Sequence, residues 1–338
     1  MDEIYSQALY TIVDAAGTDS NYGLAGFAQR RKPHRYAQVP GAKLIYLGTP
    51  PAEKVGSSPW GSRGWTYQEG FLSHRRIFFT DEQVVFQCNA MTCLESYEVP
   101  TKSRDRVVPH LTDTEPLNLS SKDFGKHLME FSNRALSKDG DTLKAFLGVL
   151  NYFRKKEQCY HLYGNPIPTK KKKGHLINAW YHTKPGVRNA EYPSWSWTGW
   201  KGQIKTTSRN SLEYDLRVFK TRQRAGSPPE HRVGHRMSLD DYKKACSTNP
   251  QQDMEPVIEL RGMMANVSFE VIKWNSEAMQ DGAWAMIPKT GDTTYHSFLY
   301  LDEALTGICQ FKLPVMVLQS GEKKSNDNIV ILALNGLG

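Results

Sequence analysis

The stretch that decides the fold is Ser62-Arg63-Gly64-Trp65-Thr66-Tyr67-Gln68-Glu69-Gly70-Phe71-Leu72-Ser73, followed by His74-Arg75-Arg76-Ile77-Phe78-Phe79-Thr80-Asp81-Glu82-Gln83-Val84-Val85-Phe86-Gln87-Cys88. Trp65, Gln68, Glu69 and Leu72 recur at helical spacing, and Ser62 is suited to cap the start. Arg76–Phe79 and Gln83–Gln87 read as two strands joined by an acidic turn at Thr80-Asp81-Glu82. Helix, strand, turn, strand is the pattern of an α/β element.

Upstream, Ile4, Ala8, Ile12 and Val13 fall on one side of a helix, while Leu9–Val13 reads equally as a short buried strand. A helix leading into a strand that ends near Ala15-Ala16-Gly17 satisfies both signals. Residues 17–42 read as a loop, Lys43–Gly48 as a short strand, and Thr49–Gly61 as a Pro/Gly/Ser loop.

Downstream, Ser120 or Ser121 is placed to cap a helix carrying Phe124, Leu128, Phe131 and Ala135, and Asp141 a second one carrying Leu143, Phe146, Leu147, Leu150 and Phe153. Together they predict a helical hairpin over about 120–157. Residues 154–175 read as a basic loop, and Leu176–His182 as a short helix or strand. Tyr192-Pro193-Ser194-Trp195-Ser196-Trp197-Thr198-Gly199-Trp200 alternates bulky and small residues, which predicts a strand with one buried aromatic face. The remainder is β-rich over about 190–338, with strands expected at Val257–Leu260, Val267–Trp274, Ala283–Ile287, Ser297–Tyr300, Gly307–Lys312, Val315–Gln319 and Ile329–Leu334.

The chain has 338 residues, 39% of them apolar, with eight Trp and sixteen Tyr. That composition excludes a disordered chain and supports a substantial core. The formal net charge is +8, but the excess sits in loop-like runs such as Lys170–Lys173, Arg30–Lys32 and the 217–236 region. These read as solvated loops rather than a nucleic-acid surface. The five cysteines, Cys88, Cys93, Cys159, Cys246 and Cys309, are an odd count without a repeating spacing, and no secretory h-region precedes them. Reduced thiols and a cytoplasmic location are expected. No second pair completes a zinc site around Cys88 and Cys93, so no metal is expected, and no apolar run is long enough to span a bilayer.

Arg63-Gly64-Trp65-Thr66-Tyr67-Gln68-Glu69, with Leu72-Ser73-His74-Arg75, resembles the C-terminal signature of the fungal heterokaryon incompatibility (HET) domain, R-x-W-T-x-Q-E-x-x-L-S-x-R, which leads into strand, acidic turn and strand. Met1-Asp2-Glu3-Ile4-Tyr5-Ser6-Gln7-Ala8 is similar to the family's M-x-x-I-Y-x-x-A helix. Asn133-Arg134-Ala135-Leu136 with Asp141–Phe146 and Gly148, and Pro193-Ser194-Trp195-Ser196-Trp197 with Gly199-Trp200, resemble segments that follow the domain. The motif residues carried over are Arg63, Trp65, Thr66, Gln68, Glu69, Leu72, Ser73, Arg75, Trp195 and Trp197. The family's earlier L-S-Y-x-W-G and W-I-D-A-x-C-I-D-Q strands have no counterpart, so the resemblance implies a domain truncated at its N-terminal side, with open sheet edges and uncovered apolar helix faces.

The expectation is therefore an α/β, partial HET or Toll/interleukin-1 receptor (TIR)-like, domain over residues 1–98, followed by a mixed α+β extension over 99–338. The implied role is an effector in non-self recognition and programmed cell death, acting through protein partners: an incompatibility partner or self-assembly. No cofactor motif is evident. The distant similarity of HET to TIR domains implies NAD for an intact domain, and Glu69 is the candidate catalytic carboxylate because Trp65 precedes it by one helical turn. A carboxylate beside an indole could hold ribose hydroxyls or stabilise a developing oxocarbenium charge. Such an NAD-hydrolysing activity would require the missing half to be supplied. The competing expectations are that Gln68 and Glu69 pair locally with Arg63, Arg75 or Arg76, and that the chain is a non-toxic regulator or decayed paralogue. Trp195, Trp197 and Trp200 read as a core strand face in preference to a stacking surface, and Arg134 and Asp141 as joining two helix ends.

Overall fold

The computed structural model describes residues 1–96 except 34, 47 and 89–90; 121–167 except 158; 180–206 except 183–185; Asp241, Tyr242 and Lys244; and, as backbone, strand segments between 215 and 333. The elements to residue 96 are α1 (Asp2–Gln7), β1 (Thr11–Asp14), β2 (Tyr36–Val39), β3 (Ala42–Ile45), α2 (Pro51–Gly56), α3 (Pro59–Ser62), α4 (Thr66–Leu72), β4 (Arg75–Phe79), β5 (Val84–Cys88) and β6 (Thr92–Leu94). Then come α5 (Ser121–Ser132), a 3-10 turn (Asp139–Asp141), α6 (Thr142–Glu157), β7 (Tyr160–Leu162), β8 (Asn165–Ile167), β9 (Trp180–His182), β10 (Val187–Arg188), a second 3-10 turn (Trp197–Gly199), β11 (Trp200–Lys201) and β12 (Ile204–Thr206). The chain divides into two compact units: Met1–Asn118 with Asn133–Tyr152, and Leu119–Ser132 with Phe153–Gly338.

In the first unit β1 and β4 pair in parallel, and β4, β5 and β6 continue the sheet antiparallel in the order β1-β4-β5-β6. The parallel pair requires a crossover, which α2, α3 and α4 supply. One sheet face carries the core of Val13, Ala15, Phe78, Val85 and Leu94, closed by Val55 of α2 and by Trp60 of α3, whose ring meets Phe78 edge-on at 5.8 Å. The acidic turn after β4 fastens the loops at one end of the sheet: Asp81 pairs with Lys32 and Lys54, each at 2.6 Å, and Glu82 accepts from Thr49 N–H at 3.0 Å. At the opposite side β1 is an edge strand, and Ile4, Leu9, Tyr10 and Ile12 around it are exposed.

Two expectations for this unit need correction. Residues 36–45, read largely as loop, form the β2–β3 hairpin. Residues 49–61, also read as loop, hold α2 and α3, because Pro51 and Pro59 occupy first-turn positions and Ser58 caps α3 by accepting from Gly61 N–H at 3.0 Å. Proline with a preceding serine is a helix start as well as a loop signal.

In the second unit Phe124, Leu128 and Phe131 of α5 are buried, as their spacing implies. The 154–175 region, expected to be loop, contains the end of α6 and the β7–β8 hairpin, whose two-residue turn places Tyr163 and Gly164 at φ 47° and 90°. Beyond residue 215 lie β13 (Asp215–Arg222), β14 (Val233–Ser238), β15 (Met254–Arg261), β16 (Met263–Ile272), β17 (Trp284–Thr290), β18 (Thr293–Thr294), β19 (Ser297–Leu299), β20 (Gln310–Leu318) and β21 (Val330–Ala333). They form an antiparallel three-stranded sheet, β14-β13-β15, and a six-stranded one, β18-β17-β16-β20-β21 with β19 on β17. The two strands expected at 307–319 are one, β20, running through Pro314. Mixed helix and strand content is thus observed throughout.

Candidate functional site

Hydrogen bonds and ring contacts from distant parts of the sequence converge on α4. Trp65 is its N-cap, so Ser62 belongs to the end of α3 and does not cap this helix. Thr66, Tyr67, Gln68, Gly70 and Leu72 are buried, whereas Trp65 and Glu69 are half-exposed, one turn apart.

Each remaining motif residue has a structural partner. Gly64 N–H donates to Ala135 O and Ala135 N–H to Ser62 O, both at 2.7 Å, a parallel bridge between Arg63 and Ala135. A Cβ at Gly64 would lie 2.5 Å from Leu136 Cδ2, so a larger residue there would require the Leu136 side chain to shift. Thr66 Oγ1 reaches Arg63 O at 2.7 Å and also Trp60 O, and receives Arg134 Nη1 at 3.2 Å. The Arg134 guanidinium lies 4.9 Å above the Tyr67 ring and 5.9 Å from that of Trp60, which favours a cation on aromatic faces. Among the partners of Arg134 are these rings, Thr66 and Arg63 O, while Asp141 pairs with Lys144 at 3.9 Å.

Gln68, 1% exposed, accepts Gly148 N–H at 3.1 Å. Tyr67 stacks on Phe146 at 6.0 Å, and Phe71 meets Tyr152 edge-on at 5.1 Å. Leu72 is buried, and Ser73 Oγ lies 2.7 Å from both Glu69 O and Thr11 Oγ1 of β1. Arg63 and Arg75 are exposed; Arg75 Nη1 approaches Leu9 O at 3.4 Å. The Glu69 carboxylate is engaged by the phenol of Tyr5, whose pKa is raised first by burial, then by the Glu69 charge and the hydrogen bond to it. In place of the local arginine pairing expected for Gln68 and Glu69, the observed partners are Gly148 and Tyr5, both residues of the other HET-like segments.

The second aromatic motif is not a strand. Ser196 caps the 3-10 turn by accepting from Thr198 N–H at 3.2 Å and donates to Tyr163 O at 2.6 Å, and Thr198 Oγ1 reaches the same carbonyl at 3.1 Å. Trp197, 1% exposed, wedges against Phe131 at 5.9 Å; a Cβ at Gly164 would come within 2.8 Å of its ring. Trp195 lies edge-on to Tyr163 at 5.7 Å, and Trp200 donates to Ser194 O at 2.7 Å beneath the Arg188 guanidinium. Three rings in three settings do not make one stacking face. Alternation of bulky and small residues does not distinguish a strand from a capped turn whose serines bind backbone.

Among the described residues no group of three His, Cys, Asp or Glu side chains is placed to hold a metal ion, and no helix is long and apolar enough to cross a membrane. The likeness to a known family lies in the segment from α1 into α4. Residues 1–69 match the family described as heterokaryon incompatibility protein (HET). No curated protein and no solved structure matches the chain. The HET match ends at Glu69, inside α4, and covers α1, β1 and the crossover that precedes the sheet hairpin. At the level of the family, it associates this segment with heterokaryon incompatibility.

Proposed function

We propose that the HET-like unit is an interaction-driven effector of incompatibility signalling, in which recognition of a non-self partner or self-assembly triggers programmed cell death. The observation that carries this reading is the convergence on α4. The residues of the HET-like motif hold α1, β1 and α6 to one helix, with Glu69 taking Tyr5 of α1, while Trp65 and Glu69 stay only half-buried. The exposed apolar residues Ile4, Leu9, Tyr10 and Ile12 beside the open edge of β1 are the kind of surface that protein partners cover.

The test is inducible expression in a fungal host. Wild type is expected to arrest growth, and Trp65→Ala, which removes a half-exposed ring, is expected to abolish arrest while the protein remains folded. A folded Trp65→Ala protein that kills as strongly as wild type removes this reading, and a non-toxic wild type favours a regulator.

A second reading is favoured by one observation. The half-buried Trp65 and Glu69 have the spacing that the distant TIR resemblance associates with NAD cleavage, and Glu69 is not sealed in the core. NAD turnover by wild type and by Glu69→Gln separates the two. Glutamine keeps an acceptor for Tyr5, so the effector reading expects arrest to persist. Loss of both turnover and arrest assigns catalysis to Glu69.

A further inference from the structure

On the core face of the first sheet, β1, β4, β5 and β6 are in register so that side chains fall into cross-strand rows. One row is Val13, Phe78, Val85 and Leu94, wholly apolar. Two residues along each strand, on the same face, the row is Thr11, Arg76, Gln87 and Thr92. Every member is polar. Arg76 is 5% exposed and Gln87 0%.

Thr11 Oγ1 at one end of the row is tied to Ser73 Oγ at 2.7 Å, but the other three members lack partners that buried polar groups ordinarily have. Arg76 Nη1 donates to Gly70 O at the end of α4, but Nε has no partner; neither Gln87 Oε1 nor Nε2 has one, nor does Thr92 Oγ1. Among the described residues no carboxylate faces Arg76, and the one ionisable group acting on it is the Cys88 thiol. Burial pushes the guanidinium down to about 10, which leaves it charged at neutral pH. A buried cation without a counterion is costly, and the usual resolution is an anion. The guanidinium edge that carries Nε is the edge suited to grip an oxyanion side-on.

We propose that the Thr11–Arg76–Gln87–Thr92 row binds one small oxyanion, with Arg76 as its counterion and Gln87 and Thr92 as flanking partners. The amide of Gln87 presents one unpartnered donor and one unpartnered acceptor, whichever way it is turned. A hydrogen phosphate satisfies both, since it accepts through its oxygens and donates through its O–H. Acetate and sulfate supply acceptors alone. The burial of Arg76 limits the ligand to a small ion or a single terminal phosphate group. The proposal does not depend on the HET-like role, since neither Trp65 nor Glu69 belongs to the row.

The test is calorimetric titration and thermal unfolding of the full chain with inorganic phosphate, sulfate and acetate at constant ionic strength. Saturable binding is expected, phosphate tighter than sulfate or acetate. Methyl phosphate as a fourth titrant distinguishes a free ion from an esterified phosphate. Arg76→Met should abolish phosphate binding and, in anion-free buffer, unfold no lower than wild type, since an apolar side chain replaces an uncompensated charge. Arg76→Lys keeps the charge without the fork and should weaken phosphate by roughly tenfold or more. If wild type shows no saturable response to any of these anions, or Arg76→Lys binds phosphate as tightly as wild type, the proposal is overturned.

Discussion

The two aromatic motifs, 62–73 and 192–200, hold their surroundings together in different ways. In the first, side chains reach across long sequence separations: Gln68 to Gly148, Ser73 to Thr11, Thr66 to Arg134 and Glu69 to Tyr5. The ring at its head, Trp65, remains half-exposed. In the second, the ring at the centre, Trp197, is the buried wedge, and the serine and threonine hydroxyls bind the one carbonyl of Tyr163 beside it. In the first motif the smaller rings of Tyr67 and Phe71 join the hydrogen bonds in packing against α6, and the indole of Trp65 stays half-buried. In the second the indole of Trp197 is itself the buried tie.

The largest effect that would break this contrast is at Trp197. Truncation to Ala removes a fully buried indole and should cost about 3–5 kcal/mol, read as a fall in the denaturant midpoint of the second unit. Trp65→Ala, at a half-exposed position, should cost clearly less. Comparable losses at the two sites would mean that Trp65 is also a core wedge, and its loss of function would then be a folding effect.

Acid should separate the units next. His161 lies on β7 beside the second motif; its Nδ1 accepts Gly164 N–H at 3.3 Å, and its pKa is lowered to about 3 by burial and then by the charge of Arg154. The unfolded chain binds a proton at this histidine below about pH 6.5, whereas the folded chain does not until near 3, so stability falls as pH drops between these values. The loss is about 3 kcal/mol by pH 4. In the first unit Asp81 acts in the same direction but at lower pH: burial raises its pKa, but the hydrogen bonds and charges of Lys32 and Lys54 outweigh that and lower it. Its contribution is complete above the ordinary carboxylate range and is lost only as pH falls through the lower folded value. Unfolding followed from pH 7 to 3 should therefore weaken the second unit first. His161→Asn retains an acceptor for Gly164 and should flatten that profile; an unchanged slope would remove His161 as its cause.

How much of this was legible in the sequence follows from the range of the interactions. The helix, hairpin and acidic turn of 62–88 were readable because periodicity and turn chemistry are local, and α5 and α6 for the same reason. Trp197 was misplaced into a strand because serine alternation looks the same whether its hydroxyls face solvent or cap a turn. Tyr5 and Gly148 stand out as motif residues, but their pairing with Glu69 and Gln68 does not, because nothing in a tyrosine or a glycine announces a partner sixty or eighty residues away. Arg76 was readable only as one more charge; its burial emerges from the register that puts it between Thr11 and Gln87.

The smallest effect is the most discriminating, because its sign depends on the Gln68 tie. Gly148 sits within α6, where Ala is ordinarily preferred to Gly by about 1 kcal/mol. An added Cβ would lie 2.5 Å from Gln68 Oε1 and 2.8 Å from Leu72 Cδ1. Gln68 cannot swing aside freely: it is buried, and its Nε2 already has no partner, so withdrawal would leave both ends of the amide unsatisfied. Overpacking and the lost hydrogen bond together cost about 1–3 kcal/mol, so Gly148→Ala should destabilise by roughly 1 kcal/mol despite its better propensity. In a Gln68→Leu background the hydrogen bond is already gone and the sign should move towards stabilisation, a coupling that a double-mutant cycle measures directly. If Gly148→Ala instead stabilises the wild-type chain, α4 and α6 are not held by Gln68, and the first motif fastens nothing at that point.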